Sequence, residues 1–236
     1  VPDFAVSGGT RGVRNAATAF HTMRIRLRRS IQQRTEMLAG VSHDLRTPLT
    51  RMKLSLALLP ESAETKELEN DVSDMERMIE GYLAFARGEG DEEPALVDLS
   101  EILEDVAAGA RRDSASIDLA WQGDMNVELR PLAIKRCLTN LVSNALRHGS
   151  NVRLEAVRGR TSVEITVDDD GPGIPPDRYE DVFRPFFRLD ESRNADTGGV
   201  GLGLTIARDV ARSHSGDVVL GPSPLGGLRV IVRIPL

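Results

Sequence analysis

Three side chains in the first quarter of the sequence could do chemistry together: His43, its neighbour Asp44, and Thr47. They lie in the stretch Glu36-Met37-Leu38-Ala39-Gly40-Val41-Ser42-His43-Asp44-Leu45-Arg46-Thr47-Pro48-Leu49. Imidazole has an unperturbed pKa near ~6.5, so an exposed ring is largely neutral at pH 7 and is a nucleophile that needs little activation. Exposure is what the pattern predicts. Leu38, Val41, Leu45, Leu49, Met52 and Leu56 recur at spacings of three and four, one apolar stripe suited to a bundle seam. At about 100° per residue, His43 lies roughly 160° from Leu45, on the opposite, wet face, with Thr47 one turn below it. Pro48 removes a backbone N–H and crowds the carbonyl of Asp44, so a bend is expected just beyond the histidine. A surface histidine alone is ordinarily part of a solvated face. The acid and the proline beside it make this one a candidate.

A second set of residues lies further along. Val163, Ile165 and Val167 alternate with polar residues, as in a strand with one face inward, and Asp169 continues the inward phase. A carboxylate aimed at a core is costly unless paired. Gly171-Pro172-Gly173-Ile174 follows directly and lets another surface approach the backbone. Two readings stay open here: an Asp that caps a tight turn, or one that accepts a hydrogen bond from an exocyclic amine such as that of adenine. Gly198-Gly199-Val200-Gly201-Leu202-Gly203-Leu204 leads into a helix, a junction whose backbone N–H groups and dipole make a phosphate seat. It lacks the Lys-Ser/Thr ending of a P-loop and the strand–Gly–helix context of a dinucleotide fold, so any nucleotide fold here is a different one. Asn140 and Asn144 are i,i+4 neighbours beside the stripe Ile134, Leu138, Leu141 and Ala145, with Arg147 and His148 one turn on. Asn144 offers a neutral oxygen to a hard cation such as Mg²⁺, and Arg147 offers a guanidinium to phosphate.

The elements that must position these groups fall into two parts. From Val1 to Gly12 the sequence reads as loop; a helical period starts at Val13 and runs past His43 to about Leu59-Pro60. A second helix opens near Ala63 and carries Leu68, Val72, Met75, Ile79, Tyr82 and Ala86. This is a helical hairpin whose two narrow stripes suit a dimeric four-helix bundle. Gly88-Glu89-Gly90-Asp91-Glu92-Glu93-Pro94 is a linker by composition. Beyond it come a helix over about Leu99–Arg112, strands near Ile117–Trp121 and Asn126–Leu129, and a helix from Pro131 that stops at Gly149. Strands at Asn151–Val157 and Ser162–Asp168, a helix over about Leu202–Ser213 and strands near Asp217–Leu220 and Leu228–Ile234 complete an α+β two-layer sandwich.

Bulk properties narrow the classes. A net charge of −6 leaves no footprint of a nucleic-acid binder. The one cysteine, Cys137, sits in a helical stripe, which excludes a disulfide framework and suits a reducing compartment. No apolar run approaches the ~20 residues of a membrane span and no signal-peptide pattern occurs, so the chain as given is expected to be soluble, whether whole or a piece of something larger. Arg11, Arg14, Arg24, Arg26, Arg28, Arg29 and Arg34 occur without an intervening acid. That run reads equally as a solvated helix face or as a segment just inside a cytoplasmic membrane.

Taken in order, the motifs Val41–Leu49, Asn140–Ala145, Asp169–Ile174, Phe183–Phe187 and Gly199–Leu204 resemble those of EnvZ-like sensor histidine kinases of two-component signalling. These are His-Asp-x-x-Thr-Pro, Asn-x-x-x-Asn-Ala, Asp-x-Gly-x-Gly-Ile, a Phe-rich stretch and Gly-x-Gly-Leu-Gly-Leu. The likeness covers the chain from about Arg34, and Val13–Met23 is similar to the last helix of a HAMP linker. The resemblance implies three parts: the end of that linker (1–30), a dimerisation and phosphotransfer hairpin (31–90), and a catalytic ATP-binding domain (95–236). It implies that His43 accepts phosphate from ATP with Asp44 as its hydrogen-bonding partner and proton acceptor, and that Thr47 positions water in a reverse, phosphatase reaction. Asn144 would bind Mg²⁺, with Asn140 and Arg147 near the phosphates and His148 in the same site. Asp169 would read the adenine amine, with Gly171, Gly173 and Ile174 along the base pocket. Phe183–Gly198 would form a lid over ATP, and Gly199, Gly201, Leu202, Gly203 and Leu204 would hinge it and cradle phosphate. The implied partners are a second copy of the chain, the receiver domain of a response regulator, and, through segments absent here, the cytoplasmic face of the bacterial inner membrane. Among related ATPases that hydrolyse ATP, a Glu stands four residues before the metal-binding Asn. Here that position is Asn140, a poor base, which disfavours a hydrolase. A scaffold that binds ATP without catalysis is disfavoured because every motif is intact, whereas a phosphatase-dominant protein is compatible with Thr47.

Overall fold

The computed structural model describes residues 11–60, 62–86, 92–112, 116–189 and 201–236. The chain divides into two compact units, Val1–Gly88 and Glu89–Leu236.

The first unit is a hairpin of α1 (Arg11–Leu56) and α2 (Ala63–Ala86). The helix begins at Arg11, so Arg11 and Gly12 belong to it and not to the expected loop; Val1 to Thr10 lie outside the described residues. Helix α1 continues through Pro48 without interruption. Ser62 starts α2 as a cap: its Oγ accepts the Thr65 N–H at 3.1 Å and its hydroxyl donates to Glu64 at 2.8 Å. Where the helices meet, Leu49, Leu56 and Val72 form a small buried cluster with Ile79 packed against it. Lys53 and Glu76 pair across the hairpin. Among the described residues of the expected seam, Val41, Leu45, Met52, Leu68 and Met75 are exposed within one chain; the side chains of Leu38, Tyr82 and Ala86 lie outside the described residues.

The second unit is a two-layer α+β sandwich. Its five-stranded sheet has the order β2-β4-β5-β7-β6, with β2 (Ser116–Gln122) parallel to β4 (Asn151–Arg158). The pairs of β5 (Ser162–Asp169), β7 (Leu228–Pro235) and β6 (Asp217–Pro222) are antiparallel. Register aligns the apolar phase across the sheet: Leu154 faces Val167, Val167 faces Val230, and Val230 faces Leu220. These residues are buried under a layer made of α3 (Leu99–Arg112), α4 (Pro131–His148) and α5 (Gly203–Ser213), with α4 between the other two. Each such fully buried aliphatic side chain contributes roughly 1.5–3 kcal/mol of transfer free energy.

Two features differ from the sequence reading, both because they depend on partners distant in sequence. Ala95–Asp98 forms a strand, β1, paired antiparallel with β3 (Asn126–Leu129); four residues after a proline carry no periodicity, and only the pairing defines them. Glu92, inside the stretch read as linker, belongs to the second unit. Its carboxylate accepts the Leu132 and Ala133 N–H groups at 2.8 and 3.0 Å, satisfying the open N-terminus of α4. Arg130 clips the same residue by donating Nε to the Glu92 carbonyl at 2.9 Å. Its own N–H donates to Nε2 of His214 at 3.1 Å, which puts the imidazole proton on Nδ1, beside the Val210 carbonyl at 2.8 Å.

Cys137 is fully buried in α4, and burial pushes its thiol up to about 12. Iodoacetamide is therefore expected to leave it unmodified in the native chain and to alkylate it in urea, read by intact mass; native-state labelling at the denatured rate would contradict this. The raised value also has a sign. The folded state favours the neutral thiol, so this contribution is complete below the ordinary value of 9.0 and is lost as pH rises toward about 12. Cys137→Ala is expected to flatten that part of the alkaline stability curve.

Candidate functional site

Asp169 ends β5 and is only 4% exposed, on the same face as Val163, Ile165 and Val167, as strand parity requires. Its Oδ1 accepts two backbone N–H groups, Gly171 at 2.9 Å and Leu228 at 3.0 Å, and its main-chain carbonyl accepts Gly227 N–H at 3.1 Å. No donor among the described residues reaches Oδ2. The turn-capping role falls to Oδ1, which both backbone N–H groups hold. Gly171 cannot carry a side chain here, since a Cβ would lie 2.7 Å from the His148 carbonyl and 3.0 Å from Asp169 Oδ1.

The neighbouring acids serve different ends. Asp168 points to the other face, fully buried, and takes two hydrogen bonds of 2.8 Å from Arg229, its direct cross-strand partner on β7. The carboxylate in turn holds the Arg229 guanidinium above its ordinary pKa. Asp170 accepts Ser150 N–H at 2.6 Å and Asn151 N–H at 3.0 Å, and Asn151 Nδ2 donates to its other oxygen at 2.6 Å. These bonds, Asn151 first, hold the Asp170 carboxyl below its usual range. They also tie the start of β4 to the loop that follows β5.

Helix α4 bridges this loop and the glycine-rich junction. At its C-terminal end His148 and Gly149 abut Asp170 and Gly171; toward its middle the Asn140 carbonyl is 3.7 Å from where a Gly203 Cβ would stand. Asn144 lies on the turn between. Both asparagines are half-buried, and neither side-chain amide has a hydrogen-bond partner among the described residues. Arg147 and His148 are exposed. Desolvation, then the charge of Arg147, lowers the His148 pKa against an opposing pull from Asp169, so the imidazole is neutral at pH 7.

At the α5 side, Gly201 takes φ +71° and Phe186 φ 65°. The two are joined by the Phe186 N–H donating to the Gly201 carbonyl at 3.0 Å, and a Cβ on Gly201 would come within 2.8 Å of the Phe187 carbonyl. Leu202 and Leu204 are buried, and Gly203 opens the helix. Phe183 is buried against α5, its carbonyl accepting Thr205 Oγ1–H at 2.9 Å and its ring lying 4.2 Å from the Arg208 guanidinium carbon. Gly173, at φ +70°, and the half-buried Ile174 continue the loop after Asp169. Gly198, Gly199 and Val200, with most of the expected lid, lie outside the described residues. In the first unit Asp44 and Thr47 are exposed on α1; the side chain of His43 lies outside the described residues.

Sequence reasoning missed the contribution of β7. The Leu228 N–H and the Asp168–Arg229 pair both come from a strand about sixty residues away, and the only signal was the Gly226-Gly227 pair ahead of it.

A buried carboxylate beside a close-packed glycine, two asparagines on α4 and a glycine-rich helix start thus lie together in the second unit. Residues 130–236 match the family described as histidine kinase-, DNA gyrase B-, and HSP90-like ATPase, and residues 33–91 match the His Kinase A (phospho-acceptor) domain. The chain belongs to the sensor histidine kinases, carrying these two domains in that order. It is 37% identical over 220 residues to sensor histidine kinase GtrS of Pseudomonas aeruginosa, covering 93% of this chain and 46% of that one. It is 36% identical over 236 residues to sensor histidine kinase CpxA of Escherichia coli, covering 94% and 51%. The chain thus spans about half the length of the curated relatives it matches. Full-length ShkA, solved in complex with AMPPNP, superposes with a TM-score of 0.66 at 25% identity, covering 85% of this chain and 45% of that one.

Proposed function

We propose that this chain is the catalytic portion of a two-component sensor kinase that phosphorylates its own His43 from ATP and passes the phosphoryl group to an aspartate of a response-regulator receiver domain. The observation that carries the reading is the Asp169 carboxylate, fixed at Oδ1 and open at Oδ2, as an adenine amine requires of its acceptor. That ShkA was solved in complex with AMPPNP supports a nucleotide as the ligand of this chain.

In the forward step a nitrogen of the His43 imidazole attacks the γ-phosphorus, a P–N bond forms, the bond to the bridging oxygen breaks and ADP leaves. The imidazole proton passes to Asp44. Asn140 and Arg147 contact the phosphates, neutral His148 borders them, and Gly171, Gly173 and Ile174 line the base. Gly201, Leu202, Gly203 and Leu204, with Gly199 before them, shape the phosphate seat at α5, and Phe183 anchors the segment leading to it. Mg²⁺, with Asn144 as its protein ligand, would neutralise charge on the transferring group. Phosphate and water oxygens would supply the rest of its shell, as is usual for this ion. Thr47 orients water in the reverse, phosphatase reaction.

The functional unit is a homodimer. Val41, Leu45, Met52, Leu68 and Met75, exposed in one chain, supply the seam that a second copy would cover. Residues 31–90 form the phosphotransfer hairpin, 95–236 the catalytic domain, and 1–30 the end of a membrane-proximal relay. Anchoring at the inner membrane is part of the same proposal, through segments outside this chain; among the described residues no helix is long and apolar enough to cross a membrane.

Incubation with γ-labelled ATP and Mg²⁺ tests the reading. Acid-labile, base-stable label is expected on the chain and is expected to disappear in His43→Ala. Equal labelling of the two, or release of phosphate with no labelled protein, would favour an ATP hydrolase instead.

A further inference from the structure

The geometry points to Gly227, and the peptide it forms with Leu228, as the element that sets adenine selectivity by holding the Asp169 carboxylate in position. The inference rests on the reading of Asp169 as the acceptor of the adenine amine.

Gly227 is buried in the turn between β6 and β7. Its N–H donates to the Asp169 carbonyl at 3.1 Å, and the N–H of Leu228 donates to Oδ1 at 3.0 Å. A Cβ on Gly227 would stand 2.1 Å from Asp169 Oδ1, 2.5 Å from Gly171 N and 2.7 Å from the Asp169 carbonyl oxygen. All three distances are shorter than a real Cβ tolerates, so the carboxylate must swing away and the Asp169 and Gly171 main chain must shift with it. The turn has little room to retreat. Ser223 N–H donates to the Gly227 carbonyl at 2.9 Å, Gly226 N–H to the Ser223 carbonyl at 3.0 Å, and Leu225 N–H to Ser223 Oγ at 3.0 Å. Hydrogen bonds weaken steeply once their angle falls below ~120°, so a small rotation of the carboxylate takes Oδ2 off the line to an amine. Gly227 is thus a positioning residue, acting through Asp169.

The test is a pair of dissociation constants for the intact chain, one for ADP and one for purine riboside 5′-diphosphate, which lacks the 6-amino group. Neither is turned over, and the ratio of the two constants does not depend on the fraction of competent protein. The unmodified chain is expected to prefer ADP by roughly 10–100-fold, the range of a hydrogen bond to a charged acceptor. Gly227→Ala is expected to bring that ratio toward one, and Gly221→Ala, where a Cβ meets nothing within 4 Å, to leave it unchanged. Asp169→Ala separates the two claims. If it keeps the ratio, the adenine reading of Asp169 is wrong. If it loses the ratio while Gly227→Ala keeps it, only the Gly227 assignment is overturned. Should Gly227→Ala fail to fold, an ester in place of the Gly227–Leu228 amide removes the donor and keeps every side chain; an unchanged ratio there overturns the assignment as well.

Discussion

Asp169→Asn is expected to weaken ADP binding about 100-fold, equivalent to ~3 kcal/mol, with the fold retained. The amide oxygen takes over the hydrogen bonds from Gly171 N–H and Leu228 N–H, since both backbone donors still require an acceptor. That choice turns the amide NH₂ toward the position of Oδ2. A donor then faces the donor of the adenine amine, which costs more than a missing bond because two N–H groups are left unsatisfied. Calorimetric titration with ADP measures the loss, and far-ultraviolet circular dichroism checks the fold. Binding within threefold of the original chain would remove Asp169 from the recognition of the base.

The second large effect is on stability. Arg229→Ala is expected to destabilise the second unit by roughly 3–5 kcal/mol, because it leaves a carboxylate buried and unpaired. Asp168 is wholly inaccessible, and both of its hydrogen bonds from a side chain come from Arg229. Replacing both partners by valine, a good strand former, is expected to recover most of the loss, since no charge then remains to be compensated. Trp121, the only tryptophan, sits on β2 and reports the unfolding of this unit in urea by its fluorescence. Equal stability of Arg229→Ala and the original chain would mean that Asp168 is satisfied by other means.

The two effects explain which parts of the molecule were legible in the sequence. Helices α3 and α4 could be read from their own residues: an apolar stripe repeats every three or four positions, and Pro131 and Gly149 mark the ends of α4. The inward phase of Asp169 followed from strand alternation alone. Beyond that, local pattern gave out. Strand β1 exists through its pairing with β3, the α4 N-terminus is closed by Glu92 from about forty residues away, and Asp168 is neutralised by Arg229 from about sixty. Nothing in the local sequence distinguishes Gly227 from any turn glycine; its closeness to Asp169 is a product of the fold. In the hairpin, the seam residues could be recognised but their cover could not, because one chain buries Leu49, Leu56 and Val72 and leaves Val41, Leu45 and Met52 exposed.

The central claim is that a nucleotide bound beside Asp169 delivers its γ-phosphoryl group to one imidazole on α1. Tandem mass spectrometry of the chain after reaction with ATP and Mg²⁺, digested and handled at alkaline pH to preserve P–N bonds, locates the group directly. Phosphate on the peptide containing His43, carried by the imidazole and strongly reduced when Asp169→Asn is treated alike at ATP too dilute to saturate it, is the outcome expected. Phosphate on a serine, threonine or aspartate, or ATP consumed with no phosphopeptide formed, would contradict it.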